Sequence, residues 1–307
     1  MTTHRLDPTA ATTTDVFSNG HAPVLGIDPG DTVVVRSLDA SGYVERQTVP
    51  GEDRPRLIAD SRGHCLTGPI EVRGAEPGQL LALHVRSLRP DPWGWTVAGL
   101  SDTPVTQRLG LLESPPAWLL WDLDVETGRA TESRGFARGL APFLGVMGVA
   151  PVEPGEHSTI PPRAGSGGNI DCKDLVAGAT LYLPVAVPGA LLYLGDGHAA
   201  QGDGEAGGTA IECGMTTEVT VAVVTDRPLP TVHAEAPAGR ITFGFNADLN
   251  VAMGDALEAM VVWMQQLFTL EKAEALALAS TTVDLRVTQV ANQTWGVHAL
   301  LPAGCLD

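Results

Sequence analysis

The chain has 307 residues, with 36 acidic and 19 basic side chains and a formal charge of −17. That balance argues against partners that bind through phosphate, whether nucleic acid or an anionic membrane, because such binding needs clustered Lys and Arg. A small neutral substrate or a cation suits it better. The 35 Gly and 23 Pro stand well above the usual combined share of about 12%, so a helix bundle is excluded and a turn-rich, β-rich chain is expected.

Size and an apolar fraction of 44% suffice for a large core without covalent staples. No apolar run approaches the ~18 residues of a spanning helix. The Thr- and Ala-rich start lacks the apolar centre of a secretory signal, so a cytoplasmic location is expected. Cys65, Cys172, Cys213 and Cys305 form no CxxC pair, which leaves a finger-type zinc site unsupported.

Taken in order, residues 1–20 read as a flexible N-terminal segment. Residues 21–160 read as a β-rich part, and 161–307 as a second β-rich part with C-terminal helices; the two can form one continuous domain. After the turn Asp28-Pro29-Gly30-Asp31, the β-branched run from Thr32 to Leu38 predicts a strand. Runs from Gly68 to Gly74 and Gln79 to Val85, joined by Ala75-Glu76-Pro77-Gly78, predict a hairpin. Residues 86–140 predict an irregular excursion with one strand, Trp118 to Leu123. Further strands are expected at Thr180 to Val185, Ala190 to Leu194 and Thr217 to Val224, the first two joined at Pro188-Gly189. Leu249, Met253, Leu257, Met260, Met264 and Leu267 recur at helical spacing, which predicts a long helix capped by Asp248. Thr269 is expected to cap a shorter helix from Leu270 to Ala279, before a strand from Thr282 to Val290. The expected class is mainly β, sandwich- or barrel-like, with a few helices and α+β overall.

One segment departs from this pattern. Between Gly165 and Glu212 lie two acidic clusters framed by glycine: Gly167-Gly168-Asn169-Ile170-Asp171, and Gly195-Asp196-Gly197-His198 followed by Gln201-Gly202-Asp203-Gly204-Glu205. So many glycines are entropically costly unless the backbone must turn sharply or a ligand must come close. In an extended segment Asp196 and His198 share a face, and the strand before them would place them at a rigid support. A divalent cation is the simplest way to hold such acids together, with carboxylates and imidazole as ordinary Zn²⁺ ligands. The alternatives are a loop of solvated acids, with Glu212 pairing Arg163; a Cys172 nucleophile beside Lys173; and a non-catalytic Ca²⁺-binding β-sandwich module.

These residues carry a resemblance. Pro29-Gly30-Asp31-Thr32, His64 with Leu66-Thr67-Gly68-Pro69-Ile70, Val72-Arg73-Gly74-Ala75-Glu76-Pro77-Gly78, Pro161-Pro162-Arg163, Gly167-Gly168-Asn169-x-Asp171, Gly195-Asp196-x-His198-x-x-Gln201-Gly202-Asp203-Gly204-Glu205 and Ala210-Ile211-Glu212 together resemble the acetamidase/formamidase family, over roughly residues 24–302. The resemblance implies a β-rich amidohydrolase that cleaves short aliphatic amides to a carboxylate and ammonia with metal assistance. On this chain it implies Asp171, Asp196, His198 and Asp203 as metal ligands, for Zn²⁺ with room for a second ion such as Ca²⁺. Glu205 and Glu212 are implied as the base or at a second metal position, His64 as a proton carrier or further ligand, and Asn169 and Gln201 as substrate-binding residues. A homodimer is the expected assembly. Residues 100–160 give no clear match apart from Ala141-Pro142-Phe143-Leu144-Gly145 leading to Gly148-Val149-Ala150-Pro151, and are expected to shape the substrate pocket.

Overall fold

The structure, a computed structural model, describes residues 1–226 and 228–306. It is mostly β: two large sheets share one core, and the three helices among the described residues lie outside it. In the nine-stranded sheet the spatial order is Thr3–Leu6, Thr32–Ser37, Met215–Val224, Leu80–Pro90, Thr180–Pro184, His233–Ala236, Gly239–Asn246, Trp295–Pro302 and Asp284–Gln289. In the other sheet the order runs Ala137–Gly139, Arg129–Glu132, Ala117–Asp124, Trp93–Ala98, Glu212–Cys213, Leu192–His198, Phe143–Val149 and Gly167–Asn169, with Leu66–Val72 also beside Leu192–His198. Both sheets draw strands from the first and second halves of the chain. Val33, Leu83, Leu181 and Val219 from the first sheet meet Ile70, Leu144, Leu192 and Leu194 from the second.

Burial explains the two kinds of strand. Thr32–Ser37 alternates strictly between buried and half-buried positions, as expected for a strand with one face on the core. Phe143–Val149 and Leu192–His198 are buried at every position, so both of their faces are covered. These two pair antiparallel with each other, Phe143 opposite His198 and Leu144 opposite Gly197. They form the rigid floor on which the acidic motifs stand.

Several expectations change. Residues 1–20 are not a loose segment: Thr3–Leu6 pairs parallel with Thr32–Ser37, and Val16 and Phe17 are buried. The proposed hairpin does not form. Leu66–Val72 and Leu80–Pro90 lie in different sheets, so the Pro77-Gly78 turn crosses between layers. Pro188-Gly189 does the same between Thr180–Pro184 and Leu192–His198. The region 86–140 is mostly regular, with Trp93–Ala98 and Ala117–Asp124 paired and a short helix, Pro104–Arg108, between them.

The long helix is Leu249–Phe268, and Asp248 accepts its cap from the Asn250 N–H at 2.8 Å. Part of the Leu/Met stripe faces inward: Met260 and Met264 are buried and Leu249 and Leu257 pack partly against the same core, whereas Met253 and Leu267 are exposed. Ala252, Ala256, Val261 and Trp263 complete the buried face. The alanines let the helix touch the strand Gly239–Asn246, where a Cβ at Gly244 would strike the Ala252 carbonyl. Thr269 does not cap the next helix. It closes the first one in the left-handed conformation (φ 55°), while Glu271 precedes the second helix, Lys272–Thr282. No helix among the described residues is long and apolar enough to cross a membrane.

Candidate active site

The strand Leu192–His198 runs further than its apolar part, through Gly195-Asp196-Gly197-His198. Packing requires its glycines: a Cβ at Gly197 would lie 2.6 Å from the Cys213 carbonyl, and one at Gly195 2.8 Å from Leu66 Cδ2. Asp196 adopts φ 59°, and two other acids of the cluster also sit in the left-handed region, Asp171 at 54° and Glu205 at 41°. Non-glycine residues there cost of order 1–3 kcal/mol each and persist only where the surroundings enforce them. The enforcement is visible. The Gly145 carbonyl accepts the N–H groups of Ile170 and Asp171 at 2.9 and 3.2 Å. The loop bearing Glu205 is pinned by the Gly204 N–H on the Thr288 carbonyl and the Val290 N–H on the Gly204 carbonyl.

His198 is the hub. Its Nε2 lies 3.2 Å from Glu212 Oε1, 3.3 Å from Asp196 Oδ2 and 4.0 Å from Glu205 Oε1. Asp171 joins through its own group: ligand atoms of Asp171, His198 and Glu205 lie within 4.8 Å of one another, as do those of Asp196, His198 and Glu212. All five residues are buried. Gln201 sets the ring. Its side-chain N–H donates to the Asp171 carbonyl at 2.8 Å, so its Oε1 faces His198 Nδ1 at 2.9 Å and accepts from it. That hydrogen bond leaves the Nε2 lone pair for another partner, the usual arrangement around a metal-ligating histidine. Phe143 holds the ring edge-on, with centroids 5.0 Å apart.

Charge shows what the cluster lacks. Both oxygens of Asp171, Oδ1 of Asp196 and Oε2 of Glu212 are buried without a hydrogen-bond partner. No Lys or Arg among the described residues lines the pocket. Burial raises Glu212 to about 7. Burial, then repulsion from neighbouring carboxylates, drives Asp171 and Glu205 well above the usual range. Burial also opposes a charge on Asp196, but His198 and His64 outweigh it and hold that acid low. His198 is raised in turn, because Glu212 and Asp196 overcome its desolvation. With three of its four carboxylates and its imidazole raised, the cluster thus keeps extra protons wherever no cation neutralises it. The chemistry of this donor set suits a divalent ion: Asp171, Asp196 and His198 are among the residues that could hold one, and His198 would give up its Nε2 proton to do so.

A stability prediction follows. Without a cation, Glu212 keeps its proton to about 7 in the folded state but loses it near its ordinary 4.5 when unfolded. A raised acid therefore costs stability as pH climbs through that window, and the raised Asp171, Glu205 and His198 act in the same direction. The melting temperature of metal-stripped protein should fall from about pH 5 to about pH 8. Added Zn²⁺ should abolish that fall, as differential scanning fluorimetry would report.

The pocket over this cluster is a cavity of about 120 Å³. Asp196, His198, Glu205 and Glu212 line its floor, and His64, Asn169, Ser101, Ile160, Thr209 and Asn292 are among its walls. His64, half-buried, is held by Thr159 Oγ1 at 3.1 Å from Nδ1, and desolvation lowers its pKa. Asn169 donates from Nδ2 to the Ile160 carbonyl at 3.1 Å, which leaves its buried Oδ1 without a partner.

Some predicted residues lie elsewhere. Asp203 is not with the other ligands: its side chain is about a third exposed and pairs with Lys173 at 2.8 Å. Gln201, with both ends of its amide engaged by His198 and the Asp171 carbonyl, does not line this pocket. Cys172 is no nucleophile for this pocket; it is fully buried, does not line it, and burial pushes its thiol up. Arg163 does not pair Glu212 but donates to the carbonyls of Ser158 and Pro161. Sequence reading placed Phe143 and Gly145 only in a matching stretch, and gave neither them nor Asn292 a role in the site. Only Gly145 left a sign, as a glycine inside an apolar strand, where another group often approaches closely.

Buried acids, one oriented imidazole and a small polar cavity at a strand end are equipment for hydrolysis. The Acetamidase/Formamidase family model matches residues 10–156 and 154–233. A candidate formamidase of Schizosaccharomyces pombe is 28% identical over 286 residues, covering 72% of this chain and 70% of that one. The acetamidase of Bacillus halodurans superposes with a TM-score of 0.86 at 28% identity, covering 97% of each chain. The acetamidase of Yersinia enterocolitica gives 0.83 at 27% identity, covering 98% of this chain and 92% of its own. The chain belongs to the acetamidase/formamidase family, and so to the amide hydrolases.

Proposed function

We propose that this enzyme hydrolyses short, linear, primary aliphatic amides such as formamide and acetamide, using a divalent ion held by Asp171, Asp196 and His198. The observation that carries the reading is the set of buried, unpartnered carboxylate oxygens around His198 Nε2 in a pocket without Lys or Arg. Zn²⁺ is the ion we propose, because imidazole suits it and is unusual on Ca²⁺. When bound, the ion supplies an activated water and polarises the amide carbonyl.

The chain's own groups do the rest. The 120 Å³ cavity lies well below the ~300–1,000 Å³ of ordinary ligand pockets, which favours amides of a few heavy atoms. Ile160 and Ser101, from the poorly matching region, sit in its wall. Asn169 Oδ1, freed by the bond from Nδ2 to Ile160, accepts an N–H of the substrate amide and so orients a primary amide. Glu205 accepts the proton of the attacking water, because it also borders a second cavity through which the proton can leave, whereas Glu212 is anchored by the Ala210 N–H at 2.8 Å and stands against His198. Glu205, or His64 across the pocket, returns a proton to the leaving nitrogen.

Ammonia release from formamide and acetamide tests the activity. Chelation should abolish that release, and Zn²⁺ should restore it. Full turnover by protein shown to be metal-free would remove the ion from the mechanism.

A further inference from the structure

One cluster outside the pocket combines a thiol, a carboxylate and an imidazole. Cys172, Asp174 and His298 each bring a ligand atom within 4.8 Å of the others. The first two stand on the loop just after Asp171, and His298 stands on the strand Trp295–Pro302. Cys172 and His298 are fully buried, whereas the Asp174 side chain keeps 16% of its surface exposed.

The histidine is the anomaly. Its Nδ1 lies 2.8 Å from Thr288 Oγ1, while Nε2 has no hydrogen-bond partner and faces Asp174 Oδ2 at 3.6 Å, an oxygen equally unpartnered. Burial lowers His298 to about 4, so the ring is neutral and does not form an ion pair with Asp174. In the tautomer whose Nδ1–H donates to Thr288, the Nε2 lone pair is left in the interior without a donor, a costly arrangement unless a partner is supplied. Of the nearby cations, Lys173 pairs with Asp203 at 2.8 Å, while Arg286 bridges Asp284 at 3.0 Å and Asp174 Oδ2 at 3.7 Å, too far in the second case for a hydrogen bond to satisfy that oxygen.

Sulfur, nitrogen and oxygen donors together select a borderline-soft ion over Ca²⁺ or Mg²⁺. We propose that Cys172 Sγ, His298 Nε2 and a carboxylate oxygen of Asp174 bind a second, structural Zn²⁺ ion, separate from the ion of the hydrolytic pocket. The Cys172 thiol gives its proton to solvent as the S–Zn bond forms, and a water reaching in past the partly exposed Asp174 completes four-coordination. Such an ion ties the loop that presents Asp171 to the strand Trp295–Pro302, and so braces one wall of the active site.

Cobalt titration of the metal-stripped full-length protein separates the two sites. No cysteine lines the hydrolytic pocket, so a near-ultraviolet sulfur-to-cobalt charge-transfer band reports the new site alone. Wild type should show the band, and His198→Gln should keep it. Cys172→Ser and His298→Gln should lose it, and each should carry one zinc per chain fewer than wild type by elemental analysis. Absence of the band from wild type, or its survival in a folded Cys172→Ser or His298→Gln protein, would overturn the proposal. Far-ultraviolet circular dichroism identifies which variants are folded, and either one alone decides.

Discussion

Gly145→Ala is expected to lower kcat/KM for formamide by at least about a hundredfold, the scale of a 1 Å misplacement in an active site. A Cβ built at this position would strike Asp196 Oδ2 and lie 2.7 Å from Asp171 Oδ1 and 2.8 Å from His198 Cε1. Those are three of the groups proposed to hold the ion, and none is the far end of a long, flexible side chain. Asp171 and Asp196 are already fixed in left-handed backbone, so neither can retreat cheaply. The strand Phe143–Val149 is paired on both sides, with Leu192–His198 and with Gly167–Asn169, so it cannot give way either. The fold should survive, because the methyl group would enter a polar cavity and not the apolar core. Zinc affinity, measured by competition with a chromophoric chelator, should fall together with turnover. An alanine variant with wild-type turnover would mean that these side chains do not act from the positions described.

How much of this was legible beforehand follows from the physics of each signal. Glycine between acids marks close approach wherever it occurs, so the segments around Asp171, Asp196 and Glu205 stood out, and the structure brings their side chains together. Direction around a turn is not written locally. Asp203 and Glu205 share a loop, yet Gly204, pinned to Thr288, sends one to Lys173 and the other to His198. Turn chemistry gave the same ambiguity on a larger scale. Pro77-Gly78 reverses the chain whether the next strand pairs with the last or crosses to the opposite sheet, and here it crosses. The long helix was found by its Leu and Met spacing, and part of that stripe does face inward, but its closest approach to the sheet is set by Ala252 and Ala256. Small residues scarcely register on a hydrophobic pattern, yet they allow the close contact at Gly244. Asn292 and Ile160 carried no sign at all, since their place in the pocket wall depends on loops whose ends are fixed by distant strands.

Glu205→Gln is expected to lower kcat by about 10²–10⁴-fold, the usual worth of a positioned general base, while leaving bound zinc unchanged. The amide keeps the size and shape of the carboxylate but cannot take up a proton. Glu212→Gln offers the contrast. Glu212 stands 3.2 Å from His198 Nε2 and is held by the Ala210 N–H, so its loss should act through the ion and weaken metal affinity by about 10–100-fold, as outer-shell changes do. Excess zinc should then rescue Glu212→Gln and not Glu205→Gln. Geometry supports this division of labour. Glu205 is the most distant of the three carboxylates around Nε2, at 4.0 Å. It also lines a neighbouring cavity of about 330 Å³ shared with Gln201, Asp203 and Arg138. A carboxylate with access to both spaces can take a proton on one side and pass it to solvent on the other, whereas Glu212 faces only the pocket. Zinc rescue of Glu205→Gln, or full activity in that variant, would move the base to Glu212 and make Glu205 a ligand.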